Sequence, residues 1–266
     1  MLTAGGVLDR IVEAKAVRLV ENKRGVPLEQ VIALCNARAR RSFAESIANP
    51  ERVNIIAEIK HRSPSKGTIR EDFNPVNIAE SYEQAGAAAM SVLAEEDFFG
   101  GSLVHLRAIR QRVNTPLLRK DFIFDPYQIH ESVAAGADAV LLIVAILNDE
   151  LLARLIKLAS ETGLDALVEV HTAGEMKRAT AAGAKIIGVN NRDLTTFAVD
   201  LNTSFRLAQL APAGAILVSE SGIRTGEDIR NLKSAGFSSF LIGEHFMRAE
   251  NPGDALRRLI AGASES

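Results

Sequence analysis

The sequence has no tryptophan, two tyrosines and a single cysteine among its 266 residues. One cysteine, Cys35, excludes an intrachain disulfide and a cysteine-built metal site. Long apolar runs are also missing. The longest unbroken one, Ala139 to Leu147, has nine residues, whereas a membrane-spanning helix needs about 20. The opening residues MLTAGGVLDR hold no apolar signal core behind basic residues. Positive charge is not in excess: 31 Lys and Arg stand against 33 Asp and Glu, net −2. No global positive field exists to draw in nucleic acid. The five histidines, at 61, 105, 130, 171 and 245, are scattered without metal-ligand spacing. A cytoplasmic protein is expected, with no metal, no membrane and no nucleic-acid partner.

The composition that remains, 47% hydrophobic and 24% charged, is that of a globular chain. Its length suits one large domain or two ordinary ones. Residues 1–52 differ from the rest, with nine Lys and Arg against six Asp and Glu. There Leu8, Ile11, Val12, Ala16 and Leu19 recur at helical spacing, and Leu28, Val31, Ile32 and Cys35 repeat the pattern after Gly25 and Pro27. Two amphipathic helices are predicted, and the basic cluster Arg38, Arg40, Arg41 reads as a solvated face.

From Val53 the rhythm changes. Short aliphatic runs at 53–60, 88–93, 116–120, 138–144, 164–170, 184–190, 215–221 and 238–243 alternate with amphipathic segments. The latter begin near Pro75, Ser102, Pro126, Asp149, Thr172, Asn202, Thr225 and Pro252. Several carry good caps: Asn74 before Pro75, Asp125 before Pro126, and Thr225 with Asp228 three residues on. An Ala-Gly pair recurs at 85–86, 135–136, 182–183 and 235–236, with glycines 50, 47 and 53 apart. Each falls between a helix and the next strand, where a left-handed cap belongs. The spacing is two βα units of about 25 residues, and four such pairs make eight units. A (β/α)₈ TIM barrel over 53–266, preceded by a helical extension at 1–52, is therefore favoured over an open doubly wound sheet. No GxGxxG or GxxxxGKS follows the first strand.

In such barrels chemistry sits at the C-terminal ends of the strands. The first strand ends in Glu58 and Lys60, which alternation places on one face, and the third ends in Lys120, the fifth in Glu169. Charges in a barrel mouth are costly to desolvate unless they are paired or used. Two lysines with two carboxylates on three strands suit acid–base work. After the seventh and eighth strands stand Ser221-Gly222 and Gly243-Glu244. Small residues running into helices there suit an anion such as a phosphate. Phe98 or Phe99, Phe122 and Leu194 can line an apolar wall.

The motifs Ala57-Glu58-Ile59-Lys60 with Ser63-Pro64-Ser65-Lys66-Gly67, Lys120-Asp121-Phe122, Glu169-Val170-His171, Gly188 to Leu194, Ser219-Glu220-Ser221-Gly222-Ile223 and Leu241-Ile242-Gly243-Glu244 resemble the indole-3-glycerol-phosphate synthase family. The resemblance runs in order along nearly the whole chain. It implies a barrel with an N-terminal helical extension folded over the catalytic face. It implies conversion of 1-(2-carboxyphenylamino)-1-deoxyribulose 5-phosphate, a phosphorylated small molecule, with loss of carbon dioxide and water and with no cofactor. By resemblance Glu58, Lys60, Lys120, Glu169, Asn190 and Ser221 match active-site residues. Ser63, Phe99, Phe122, Arg192, Leu194 and Glu220 match the binding shell, and Gly222, Gly243 and Glu244 the phosphate loops. His245-Phe246 departs from the family, where a small residue and Leu are more frequent. Which lysine and which glutamate act in each step stays open. Other enzymes of the tryptophan pathway are the partners implied, with a monomer or weak oligomer as the state. The rival readings are another phosphosugar barrel, of the aminoaldose–aminoketose isomerase type, and a non-catalytic phosphosugar sensor. The sole cysteine, in the helical extension, argues against the isomerase, and the complete charged set argues against the sensor.

Overall fold

The eight aliphatic runs form eight parallel strands: β1 (Asn54–Ile59), β2 (Ala89–Leu93), β3 (Leu117–Lys120), β4 (Ala139–Ile143), β5 (Asp165–Val170), β6 (Ile186–Asn190), β7 (Ile216–Glu220) and β8 (Ser239–Ile242). They pair in chain order, and β8 closes onto β1 to complete a barrel. The structure is a computed structural model and describes residues 6–35 and 41–264. Arg38 and Arg40 of the basic cluster lie outside the described residues.

The strands read as continuous apolar runs because both faces are covered, by the barrel interior and by the outer helices. In β1, β2, β4 and β8 every residue is buried. The outer helices are α4 (Pro75–Gln84), α5 (Leu103–Arg110), α6 (Pro126–Ala135), α7 (Asp149–Thr162), α8 (Ala173–Ala181), α9 (Asn202–Ala208), α10 (Gly226–Ser234) and α12 (Pro252–Ser264), with the one-turn α11 (Glu244–Met247) before the last. The Asn74 side chain accepts from the Val76 and Asn77 N–H groups, and Asp125 and Thr225 each close a reciprocal capping box.

The Ala-Gly repeat is a repeated helix exit. Gly86, Gly136, Gly183 and Gly236 all have φ between 81° and 98°. In each case the next N–H reaches back five residues: Ala87 to Tyr82, Ala137 to Ser132, Ala184 to Ala179 and Phe237 to Leu232, at 3.0–3.1 Å. This is the bond that satisfies a helix's last carbonyls and turns the chain into the following strand.

The register fixes the stagger. Glu58 pairs with Ser91, which pairs with Leu118. Arg119 pairs with Val140 and that residue with Ala166, so Lys120 is level with Leu167. Glu169 is level with Val218 through Gly188, and Glu220 with Ile56 through Leu241. Each step across two strands thus advances two residues, and four steps close a barrel of shear eight. The same arithmetic puts Glu58, Lys120, Glu169 and Glu220, from the odd-numbered strands, in one layer at the C-terminal end.

Among the described residues of the first 52 there are three helices. α1 (Val7–Gly25) buries Leu8, Ile11, Val12, Lys15 and Leu19. It meets the loops after β2 and β3 through Lys15–Glu96, Lys15–Asp121, Arg18–Asp97 and Lys23–Asp125 ion pairs. α2 (Leu28–Ala33) is shorter than its spacing predicts: Val31 is buried, while Leu28 and Ile32 are exposed. Cys35 follows it, with Sγ 3.4 Å from the His130 carbonyl. The sequence reading did not include α3 (Phe43–Ile47), five residues capped by Ser42. Its Phe43 and Ile47 are fully buried, and its Ala44 N–H donates to Asp165 at the start of β5. α3 therefore packs at the N-terminal end of the strands, opposite α1.

Candidate active site

A cavity of about 400 Å³ opens at the C-terminal ends of the strands. Every site residue implied by the resemblance lines it: Glu58, Lys60, Lys120, Glu169, Asn190 and Ser221, the shell Ser63, Phe99, Phe122, Arg192, Leu194 and Glu220, and Gly222, Gly243 and Glu244. Leu8 and Ile11 read from the sequence only as an amphipathic face of α1, yet they form part of the wall together with Val7.

The centre is the layer of four. Lys120 Nζ donates to Glu169 Oε2 at 2.9 Å and to Glu220 Oε2 at 2.6 Å. Beside it Lys60 Nζ donates to Glu58 Oε1 at 2.5 Å. Burial opposes the charge on Lys120, but the carboxylates of Glu169, Glu220 and Glu58 outweigh it and hold the ammonium well above its ordinary range. Burial likewise opposes ionisation of Glu169, and the cations of Lys120 and His171 overcome it, so this carboxylate is held well below its ordinary range. Glu220 goes the other way. Burial and the neighbouring Glu169 and Glu58 charges exceed the help from Lys120 and push it up to about 7. Two carboxylates sharing one lysine are thus driven apart, the pattern that separates acid from base.

Two glycines make this crowding possible. A Cβ at Gly188 would collide with the Glu220 carboxylate, and one at Gly243 would collide with the Glu58 side chain. Asn190 Nδ2 donates to Glu169 Oε1 at 3.3 Å, and its Oδ1 accepts from the Arg192 N–H at 3.0 Å. Ser221 sits at φ 68°, an uncommon conformation for a residue with a Cβ, and Gly222 follows at 87°. Gly243 leads into α11, whose Glu244 accepts from Arg248 Nε at 3.0 Å. The Arg192 guanidinium lies 3.7 Å from the same carboxylate. Of the departing pair His245-Phe246, His245 is exposed, and Phe246 is fully buried with its ring edge-on to Tyr82 at 5.9 Å.

The apolar wall is set by a residue the sequence reading left without a role. Glu95 is fully buried and accepts from the N–H groups of Asp97, Phe98 and Phe99 at 2.8–2.9 Å. It folds the loop after β2 so that Phe99 faces Phe122, ring centroids 6.1 Å apart. Of the Phe98 or Phe99 alternatives, only Phe99 lines the cavity. Among the described residues no group of three or more His, Cys, Asp or Glu could hold a metal ion. No helix of the described residues is long and apolar enough to cross a membrane.

Residues 8–259 match the family model described as Indole-3-glycerol phosphate synthase. The chain belongs to the indole-3-glycerol phosphate synthase family. The synthase of Carboxydothermus hydrogenoformans is 46% identical over 263 residues, covering 96% of this chain and 99% of the relative. That of Lacticaseibacillus paracasei is 45% identical, covering 97% and 99%. Among solved structures, the 3-hexulose-6-phosphate synthase of Salmonella typhimurium superposes with a TM-score of 0.63 over 79% of this chain and 97% of its own, at 13% identity. The thiamine phosphate pyrophosphorylase of Pyrococcus furiosus does so at 0.58 over 78% and 93%, at 15% identity. The last two likenesses speak to the barrel alone. Membership of the synthase family favours this reading over the isomerase and sensor alternatives.

Two ionic groups behind the cavity wall of this family member escaped the sequence reading. His171 stands between Glu169 and Glu175, and Lys15 of α1 reaches Asp121 beside Lys120. Glu169-Val170-His171 places His171 two residues from a candidate, which was the available signal. For Lys15, set in a helix remote in sequence, there was none.

Proposed function

We propose that this chain closes the indole ring of indole-3-glycerol phosphate from 1-(2-carboxyphenylamino)-1-deoxyribulose 5-phosphate, in tryptophan biosynthesis. The observation that carries the reading is the charged layer, with Lys120 between Glu169 and Glu220 beneath the Phe99–Phe122 wall.

In the first step the ring carbon bearing the carboxylate bonds to the ketone carbon, and aromaticity is lost. Lys120 is the charged acid that gives its proton to the ketone oxygen as negative charge develops there. The carbon–carboxylate bond then breaks, and carbon dioxide leaves with restoration of the ring. In the second step the new hydroxyl departs as water, protonated by Lys60, and Glu169 takes the proton released. Lys60 begins in contact with Glu58, which orients it, and Glu220 tethers Lys120. Phe99, Phe122, Leu8 and Ile11 enclose the anthranilate ring. The backbone at Gly222 and Gly243, with Lys60 close by, receives the phosphate, while Asn190 and Arg192 orient the sugar. Anchoring the remote phosphate holds a flexible substrate folded so that its reacting ends meet. Within the extension at 1–52, α1 serves as the lid on the barrel of 53–266, while α3 packs at the opposite end. The enzyme works in the cytoplasm as a monomer or weak oligomer, supplied by other enzymes of the tryptophan pathway.

The test uses the absence of tryptophan. Added carboxyphenylamino-deoxyribulose phosphate should give rising indole fluorescence over a weak protein background. No rise at saturating substrate with folded protein overturns the reading.

A further inference from the structure

His171 is not in the cavity wall, yet it is built into the site from behind. Its Nε2 lies 3.3 Å from Glu169 Oε1. Its Nδ1 lies 3.2 Å from Glu175 Oε2, and that same oxygen accepts the His171 backbone N–H at 2.6 Å. The imidazole is 12% exposed, Glu169 3%. Glu175, in the first turn of α8, thereby fixes both the position of the residue and the plane of its ring. Nε2 is buried and makes no aligned hydrogen bond. The group it faces is a carboxylate already committed to Lys120 through Oε2 and to Asn190 through Oε1.

This arrangement has an electrostatic consequence. When Lys120 turns to a substrate oxygen, Glu169 loses its principal cation. Glu58, and Glu220 when it is ionised, remain as like charges in the same layer. A buried carboxylate left so exposed to repulsion would take up a proton and cease to be a base. We propose that His171 is the positioning residue that keeps Glu169 ionised and in place while Lys120 is engaged by substrate. This rests on the role proposed above for Glu169 as base. The charged groups around the imidazole are Glu169 from β5, Glu175 from α8 and Asp193 from the loop after β6. All three favour the cation. Burial disfavours it, but Glu169 and Glu175 prevail and raise the imidazole to about 10.

The experiment compares pH profiles of the wild type, His171→Asn, His171→Gln and Glu169→Gln. Loss of the imidazolium raises the Glu169 pKa, and a base is active only above its pKa. The acid limb of kcat should therefore move to higher pH by about one unit or more in both His171 variants. The limb of kcat/KM should move less, because Lys120 still pairs with Glu169 in the free enzyme. KM should stay within about twofold, since His171 touches no substrate. In wild-type enzyme, imidazole nitrogen NMR should show His171 doubly protonated at pH 8, a measurement independent of whether a variant folds. Unmoved limbs in both variants, or a His171 that titrates near an ordinary value of about 6.5, overturn the proposal. A Glu169→Gln enzyme of near wild-type rate overturns the Glu169 reading instead, so the two failures are separable.

Discussion

Lys15 Nζ lies 2.9 Å from Asp121 Oδ2, with side-chain exposures of 5% and 0%. The pair crosses from the N-terminal helix to the residue after Lys120, and the same oxygen is shared with Arg119, whose guanidinium contacts Asp121 Oδ2 at 2.8 Å. Burial opposes the Asp121 charge, and Lys15 and Arg119 together outweigh it and hold the carboxyl below its ordinary value. Removing one member of a buried pair strands the other, at about 3–5 kcal/mol. Asp121 retains Arg119, so the lower end applies. Lys15→Met should cost about 3 kcal/mol, read as a lower denaturant midpoint at unchanged slope. It should also lower kcat by loosening the strand end that carries Lys120. Unaltered stability would mean that α1 is not clamped to the barrel by this pair.

Lys120 is the shared partner of Glu169 and Glu220. Lys120→Ala should reduce kcat by at least about 10²-fold with modest change in KM, because the proposed mechanism assigns the phosphate and the ring to other residues. A near wild-type rate would remove Lys120 from the chemistry.

Glu220 gives a pH-dependent stability effect of defined sign. Its carboxyl is pushed up to about 7 in the folded protein, by burial first and then by the Glu169 and Glu58 charges. An acid whose folded pKa is raised binds more protons when folded. Its contribution to stability therefore falls as pH rises from the unfolded value of about 4.3 through 7. Glu220→Gln removes that penalty. Relative to wild type, the variant should be more stable at pH 8 than at pH 5, by on the order of 1–3 kcal/mol. Thermal melts at the two pH values measure this. An identical difference at both would place the Glu220 ionisation elsewhere.

Much of this architecture was legible because it repeats. Ala-Gly exits, Asn74 and Thr225 caps and aliphatic runs each report a local requirement of the backbone, and local requirements are written in adjacent residues. α3 was not legible, since five residues carry too little periodicity and only burial of Phe43 and Ile47 defines it. Glu58, Lys120 and Glu169 could be placed at strand ends from alternation. That they and Glu220 form one layer depends on the barrel's stagger, which is a property of eight strands together. The ties from Lys15 to Asp121 and from Glu95 to its loop are long-range or backbone-directed, so no spacing announces them.

Gly188 tests the layer directly. It lies on β6, level with Glu169 on one side and Val218 on the other, and a Cβ there would meet the Glu220 carboxylate and a Leu167 methyl. The Glu220 side chain is buried, so it cannot swing into solvent. Gly188→Ala must displace the carboxylate and with it the 2.6 Å hydrogen bond from Lys120. Overpacking of this kind costs about 1–3 kcal/mol. The functional loss should be larger than the structural one, because freeing Lys120 from Glu220 changes both where the proton donor points and how firmly it is charged. We expect kcat to fall by at least tenfold, about 1.4 kcal/mol in the barrier, with the fold retained by circular dichroism. If Gly188→Ala combined with Glu220→Ala, which vacates the contested space, is no less stable than Glu220→Ala alone, the clash is with Glu220 as assigned. If the double variant still carries the full penalty of Gly188→Ala, the glycine serves Leu167 packing instead.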